Sequence, residues 1–434
     1  MKPPKPQSEQ TPLVEIGKPI YGGAFLARIE GKAVFVPLAL PGEQARVRIT
    51  QDKRGYSTAE ADEIAAASAQ RIVPTCPHFG PCGGCHYQHT NYETQLAFKQ
   101  AILRETLERG GISVAEEISV LAAEPWHYRN RIRLAFDAAG NPGYRGLRSH
   151  AVVPVSECPI AAPLLLHAAK AAAEIARHLA TALRPTEIAL FCDANETALL
   201  ASVFVTNTGK MSSGFDDFAH AFREEIPALK GIELVAEGRA NQPPRTLAQW
   251  GAASINYRAA NFDFRVDHGA FFQVNRFLVD ALVERVIAGH GGQLAWDLFA
   301  GVGLFARSLT RDFERVVAVE SAPSATLALA ANLKDTSGTA VHAATLDFLR
   351  RGRKGQRADL IVVDPPRTGL GPEVTKLLAE VSAPALVYVS CDPATLARDL
   401  RALIDSGYAI QSITLADLFP QTFHLETVVQ LRRS

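Results

Sequence analysis

Val387-Tyr388-Val389-Ser390-Cys391-Asp392-Pro393 reads as an apolar strand that ends on a thiol and runs into a helix over 394–403. In a parallel sheet, the carboxyl end of a strand opens into the crevice where such folds bind ligands. A helix starting there is expected to lower the thiol pKa and favour the thiolate. A thiolate in that place suits pyrimidine chemistry. C5 of a pyrimidine is a poor nucleophile, but addition of sulfur at C6 moves electron density onto C5, which can then take an electrophilic carbon. The C5 proton must afterwards pass to a base, and β-elimination frees the sulfur. Near the C-terminus, Phe419-Pro420-Gln421-Thr422-Phe423-His424-Leu425-Glu426 offers two bases. His424 and Glu426 are two residues apart, so they share a face of an extended chain. Residue type alone leaves them tied.

A second constellation is Ala295-Trp296-Asp297-Leu298-Phe299-Ala300-Gly301-Val302-Gly303, a strand entering a Gly-x-Gly turn. Gly301 lets a ligand approach the backbone at the end of the first strand, and Glu320, 17 residues after Gly303, stands where an acid can accept both ribose hydroxyls. The turn by itself fits NAD, FAD or S-adenosylmethionine. The third glycine of the dinucleotide fingerprint is replaced by Ala306, and Asp-Leu-Phe-x-Gly-x-Gly is more similar to the S-adenosylmethionine-dependent methyltransferase fold. The fourth strand ends in Asp364-Pro365-Pro366-Arg367. Amino-group methyltransferases carry an aromatic residue at the last of these positions, and Arg367 argues against exocyclic-amine chemistry.

The third is Cys76-x5-Cys82-Gly83-Gly84-Cys85, with Cys158 far downstream. Three thiolates on one glycine-rich loop can wrap one face of a metal or a cubane, and Cys158 is the available fourth ligand. Four cysteines suit tetrahedral zinc or a [4Fe–4S] cluster. Cys192 reads as a core residue.

These groups need scaffolds. The chain has 434 residues, which suggests about three domains. Residues 1–12 read as a disordered tail. Short β-type runs separated by glycine turns over 13–66 suggest a small antiparallel barrel, OB-like in form. A central α+β domain is expected over 67–265, with an amphipathic helix at 92–109 and an Ala-rich helix at 161–183. From 266 to 434, strands Leu294–Phe299, Arg315–Glu320, Leu360–Asp364 and Ala385–Val389 alternate with helices, the pattern of a doubly wound, Rossmann-like parallel sheet.

Apolar residues make up 47% and charged residues 21% of the chain, ordinary globular values. Lys plus Arg and Asp plus Glu number 45 each, so no global attraction for nucleic acid is signalled. Local footprints remain: residues 1–60 carry nine Lys/Arg against six acids, and Arg129, Arg131 and Arg133 alternate along an expected strand, where they would project on one face toward phosphates. The run Arg350–Arg357 reads as a solvated loop. No apolar run of 18 residues exists, so a membrane span is not expected. The N-terminus lacks the apolar core of a signal peptide, and a cytoplasmic, reduced protein is the expectation.

Taken together, these motifs resemble the RNA (uracil-5-)-methyltransferase family, and most nearly its bacterial 23S ribosomal RNA branch with a TRAM barrel and an iron–sulfur cluster. The resemblance runs from about Leu13 to Arg433 and includes Phe271-Phe272-Gln273-Val274-Asn275. It implies that Cys76, Cys82, Cys85 and Cys158 hold a [4Fe–4S] cluster. It implies that Gln273, Phe299, Glu320 and Asp364 contact S-adenosylmethionine, with Cys391 as nucleophile and Glu426 as base. The implied partner is structured RNA, 23S rRNA first and tRNA as the alternative; no protein partner is implied, and a monomer is expected. A non-catalytic RNA-binding iron–sulfur sensor and a DNA cytosine-C5 enzyme are the competing classes. The chain departs from the family pattern at Leu304, where a polar residue is usual, and at Ala344, where an acid or amide is usual.

Overall fold

The structure, a computed structural model, describes residues 11–114, 117–179, 183–206, 214–238, 244–351 and 357–433. Most of the expected N-terminal tail and the middle of the basic run at 350–357 lie outside these residues.

The N-terminal module is all β: β1 (Leu13–Glu15), β2 (Pro19–Ile20), β3 (Ala24–Ile29), β4 (Lys32–Pro37), β5 (Gln44–Asp52) and β6 (Tyr56–Ala66), in the order β1-β5-β6-β4-β3-β2. The amide of Gly17, just after β1, donates to Leu26 O in β3 at 2.7 Å, so the sheet curls back on itself. The expected wholly antiparallel arrangement needs one correction. β4 and β6 run parallel, because β5 returns between them and β6 pairs with both.

The segment after β6 carries three of the cysteines and is tied down by Arg71, which reaches the fully buried Glu43 through two bonds of 2.6 and 2.7 Å. It leads into α1 (Tyr92–Arg109), started by Asn91, whose side chain accepts from Thr94 N at 2.8 Å. Next comes β7 (Ser119–Leu121).

The central sheet is built from β8 (Arg131–Phe136), β9 (Pro142–Arg145), β10 (Val152–Pro154), β11 (Pro185–Cys192), β12 (Leu199–Val205), β13 (Leu229–Ala236) and β14 (Arg245–Gly251), ordered β10-β9-β8-β11-β12-β13-β14. Helices α2 (Pro163–His178) and α3 (Phe215–Glu225) cover one face, packing on Ile132, Leu134, Ile188, Leu190 and Val203. The other face presents Arg131, Arg133, Phe191 and Phe204, the opposite parity. A hairpin, β15 (Ser254–Ala259) and β16 (Phe262–Asp267), follows.

The C-terminal part alternates as expected: α4 (Val279–Ile287), β17 (Gly292–Leu298), α5 (Leu304–Leu309), β18 (Phe313–Glu320), α6 (Pro323–Asn332), β19 (Gly338–His342), α7 (Thr345–Arg351), β20 (Leu360–Val363), α8 (Gly371–Val381), β21 (Ala385–Ser390), α9 (Pro393–Asp405), β22 (Tyr408–Ala416) and β23 (Thr427–Arg433). The sheet order is β19-β18-β17-β20-β21-β23-β22-β7. β17 to β21 are parallel, the central strands β17, β20 and β21 being buried on both faces, while β23 is antiparallel to its neighbours.

Packing redraws the expected boundary at 265. Ile102, Leu103 and Leu107 of α1 share a core with Leu396, Ala397 and Leu400 of α9, and β7 adds an edge strand beside β22. Tyr257 and Phe264 of the hairpin belong to the other core of the same sheet. α1, β7 and the hairpin are therefore physically part of the C-terminal unit. Sequence order hides this, because the chain leaves that unit to build the central sheet and then returns.

Candidate active site

The strands β18, β17, β20 and β21 lie side by side, and their carboxyl ends carry Glu320, Phe299, Asp364 and Cys391 in that spatial order. Glu426 completes the row from the neighbouring strand. Ser390 of β21 is registered against Thr427 of β23, so Cys391 and Glu426 are the next residues on facing antiparallel chains. Glu426 is only 6% exposed, and its backbone carbonyl is held by Ala416 N at 2.8 Å.

Electrostatics in this corner run against the helix-terminus expectation. The Cys391 thiol is pushed up to about 11, first by burial, then by the carboxylates of Glu426 and Asp364, with Arg367 opposing. Asp392 caps α9, its Oδ1 accepting from Ala394 N (3.1 Å) and Thr395 N (2.9 Å). Burial also raises Asp364, and it raises Glu426 well above the carboxylate range with Asp364 adding to the effect. Arg367 is the cation that pulls Glu426 and Cys391 down. His424 sits between Phe419 and Phe423, its Nδ1 3.1 Å from Arg367 Nη2, and burial followed by Arg367 lowers it to about 3.

The Gly-x-Gly turn is shaped for a ligand. Phe299, Gly301 and Gly303 all have positive φ (66°, 55° and 92°). A Cβ added at Gly301 would meet nothing within 4 Å, whereas at Gly303 it would stand 2.6 Å from Leu329. Gly301 is thus open to an approaching molecule and Gly303 is required by packing. Glu320 is fixed above the turn, its Oε2 accepting from Gly301 N at 2.9 Å and its Oε1 from Ser321 N and Ala322 N at 2.8 and 2.7 Å. Gln273 is buried in the loop before α4, where its backbone oxygen accepts from Asn130 Nδ2 at 2.8 Å. Leu304 is 6% exposed and packs in the core, while Ala344 is exposed just before α7.

Cys76, Cys82, Cys85 and Cys158 are all free thiols and line one small cavity together with Gln88, Arg129 and Tyr144. Burial first, and the neighbouring thiols after it, raise Cys76 and Cys82 and push Cys85 up to about 12. Among the described residues, two donors beside this cavity, Arg129 Nε and Gln88 Nε2, are buried with no hydrogen-bond partner. Gly83 is required here, since a Cβ would stand 2.9 Å from Arg145 O. Among the described residues, no three His, Cys, Asp or Glu side chains are grouped to hold a single metal ion.

Of the three arginines expected on one strand face, Arg131 and Arg133 lie on β8 and Arg129 just before it. Arg129 precedes β8, pairs with Ala161 and Asn275, and lies half-buried beside the cysteine cavity. Arg131 donates to Ala270 O at 2.7 Å, with its guanidinium 4.9 Å from the Phe191 ring centre and 5.9 Å from that of Phe271. Arg133 is exposed, pairs with Glu187 at 2.6 Å and lies 4.3 Å from the Phe204 ring centre. All three border a groove of about 780 Å³ on the open face of the central sheet.

Several residues at the site carry no motif. Tyr21, in the turn between β2 and β3, reaches Cys391 O at 3.4 Å and packs edge-on against Phe423. Lys99 and Asp417, both fully buried, pair at 2.5 Å, and Tyr92 adds a bond to Asp417 at 2.9 Å. Gln95 and Gln421 exchange two bonds of 2.9 and 3.1 Å. A helix reading that sought only apolar burial passed over Gln95 and Lys99; polar residues at i and i+4 among apolar ones were the available signal.

The open parallel sheet, its Gly-x-Gly turn and the acid fixed above it place the C-terminal unit in the methyltransferase class. Residues 353–434 match the tRNA (Uracil-5-)-methyltransferase family, and residues 8–61 match the TRAM domain. An RNA methyltransferase of Thermotoga maritima is 33% identical over 96% of this chain and 98% of its own. The 23S rRNA (uracil(1939)-C(5))-methyltransferase RlmD of Shewanella piezotolerans is 29% identical over 94% of this chain and 92% of its own. The structure of the tRNA (uracil-54, C5)-methyltransferase of Pyrococcus abyssi, in complex with S-adenosyl-L-homocysteine, has the same fold: TM-score 0.79, 24% identity, 98% of this chain and 100% of that one. The chain belongs to the RNA (uracil-5-)-methyltransferases.

Proposed function

We propose that the protein transfers a methyl group from S-adenosylmethionine to C5 of a uridine in RNA through a covalent Cys391–C6 adduct. The observation that carries this is the registered pair of Cys391 and Glu426 at the carboxyl edge of the sheet, beside Asp364. Bound S-adenosylmethionine supplies an electrophilic methyl group, and the residues suited to hold it are Phe299, Gly301, Glu320, Asp364 and Gln273. Cys391 forms the carbon–sulfur bond at C6, which makes C5 nucleophilic. After methylation Glu426 takes the C5 proton, the C6–sulfur bond breaks, and Cys391 returns as thiolate. Glu426 is preferred to His424 because the imidazole is occupied by Arg367 and is too weak a base at about 3. The uridine must leave its stack to reach the thiol, at a cost of a few kcal/mol that an unpaired loop reduces.

The substrate assigned is 23S rRNA, with a tRNA uridine as the second reading. Arg131 and Arg133, on the groove of the central sheet, are the assigned phosphate contacts, and Arg129 borders the same groove. The four cysteines are assigned to a [4Fe–4S] cluster. An anionic occupant would satisfy the orphaned donors of Arg129 and Gln88, and thiols arranged around a cavity suit a cubane better than one ion drawing four sulfurs to about 2.3 Å.

The deciding experiment incubates protein, donor and RNA and assays 5-methyluridine, with Cys391→Ala beside the wild type. Product is expected only with Cys391. Activity surviving in the variant would sink the mechanism. Mapping 5-methyluridine across total RNA, with and without the gene, decides between rRNA and tRNA.

A further inference from the structure

The loop that carries Gln273 lies alongside residues 128–131, the two running antiparallel and bridged between Arg129 and Asn275. Tyr128 O accepts from Arg276 N at 3.0 Å, Asn130 N donates to Val274 O at 3.0 Å, and Arg131 Nη2 donates to Ala270 O at 2.7 Å. The carbonyl of Gln273 is answered by a side chain, Asn130 Nδ2, which donates to it at 2.8 Å. Asn130 is fully buried, and among the described residues its Oδ1 has no hydrogen-bond partner. A buried amide with an unmet acceptor costs stability, so satisfying its own polar atoms does not explain an asparagine here. The demand comes from Gln273. Asn130 is fixed from its other side by Cys192 N of β11, which donates to its carbonyl at 2.9 Å. The second contact of its side chain, to the Tyr257 hydroxyl, is longer at 3.3 Å.

We infer that Asn130 is a positioning residue for the methyl donor, acting through Gln273. Its backbone amide holds Val274 O and its side chain holds Gln273 O, so one residue locks two successive peptide planes of the loop. Glutamine is long and rotamer-rich, and ordering it on a ligand costs free energy. A backbone held in advance removes part of that cost before the donor arrives. Among the described residues, the Gln273 side chain itself makes no hydrogen bond, so its aim is set by the backbone beneath it. The donor pocket is thereby completed from outside the C-terminal unit, because Asn130 immediately precedes β8 and is bonded to β11, both strands of the central sheet. This role rests on the proposed contact between Gln273 and S-adenosylmethionine.

The test titrates S-adenosylmethionine into the full chain by calorimetry, without RNA, for the wild type, Asn130→Ala, Gln273→Ala and the double variant, with folding checked by thermal melting. Asn130→Ala is expected to weaken donor binding about tenfold in the wild-type background and less than about twofold in the Gln273→Ala background, because two residues acting as one unit are not additive. A role in the fold alone would cost the same in both. Tyr257→Phe removes the other partner of the same amide and should leave donor affinity at the wild-type value. Where Asn130→Ala does not fold, Asn130→Ser takes its place in the cycle. An equal loss in both backgrounds, no loss in either, or a loss in Tyr257→Phe as large as that in Asn130→Ala would overturn the role of Asn130 and leave Gln273 as a donor contact. Wild-type donor affinity in Gln273→Ala would overturn that contact, and the role of Asn130 with it. Neither result touches the chemistry at Cys391, which the 5-methyluridine assay reads separately.

Discussion

Cys391 and Glu426 are neighbours because β21 and β23 are antiparallel and registered Ser390 to Thr427, although the two residues are 35 positions apart in the chain. One sheet thus presents a sulfur and a carboxyl group to the same small volume without any flexible connection between them. If sulfur adds to the ring and the carboxyl group later takes a proton from it, removing the second function should strand the first. Glu426→Gln is isosteric and should keep the fold. We expect it to accumulate a covalent protein–RNA complex, seen as a slow band in denaturing gels, with turnover lower by about two to four orders of magnitude. Normal turnover would exclude Glu426 as the base.

The pH dependence follows from the same corner. Cys391 is pushed up to about 11 and Glu426 is raised above its ordinary range, and in the proposed mechanism each acts deprotonated. For an acid whose pKa lies above the working pH, the reactive anion grows tenfold with each pH unit. kcat/KM in the free enzyme should therefore still be climbing between pH 7 and 9. Arg367 is the charge that lowers both groups, so Arg367→Ala should move the profile further alkaline, and raising the pH should restore part of the lost rate. A profile flat above pH 7 in the wild type would contradict this account.

What could be read from the chain follows the range of the interactions involved. The parallel strands were legible because each is an apolar run closed by glycine or proline. Glu320, Asp364 and Cys391 were placed at strand ends because strand ends bind ligands in any such sheet. The helix at 92–109 was legible from its period, but its membership in the C-terminal unit was not, since Ile102 and Leu103 carry no sign of pairing with Leu396 and Leu400. The thiol's direction of shift is not legible, because a helix start is visible in sequence, whereas the burial of Cys391 and the carboxylates of Glu426 and Asp364 beside it come from distant parts of the chain. Tyr21 escaped notice because its partner lies 370 residues away.

The buried Lys99–Asp417 pair fastens α1 to the loop that ends at Glu426. Lys99 also donates to Phe419 O at 3.0 Å, within that loop. Lys99→Met fills similar volume and leaves Asp417 as a buried charge with only Tyr92 as side-chain partner among the described residues. Stability should fall by about 3–5 kcal/mol, as for other half-removed buried pairs, measured by urea unfolding. Lys99→Met/Asp417→Asn should recover much of that loss, because the uncompensated charge is gone. If the double variant is no better than the single, geometry rather than charge is what the pair supplies.

The cysteine cavity gives a prediction independent of activity. Cys76, Cys82 and Cys85, raised by burial and by their neighbours, share with Cys158 a cavity that holds two unpaired donors among the described residues. Protein purified without air should be brown and carry roughly four irons per chain, the content of a cubane held by four cysteines. Cys158→Ser should lose colour and iron together. Arg129→Met should keep the four thiols but hold iron less well, because a buried cation beside an anionic cluster offsets its charge. Since methyl transfer consumes no electrons, mild oxidation that bleaches the wild type should lower its melting temperature without changing the stoichiometry of methyl donor consumed per 5-methyluridine formed. Zinc in place of iron in the anaerobic preparation would refute the cluster and leave the chemistry at Cys391 standing.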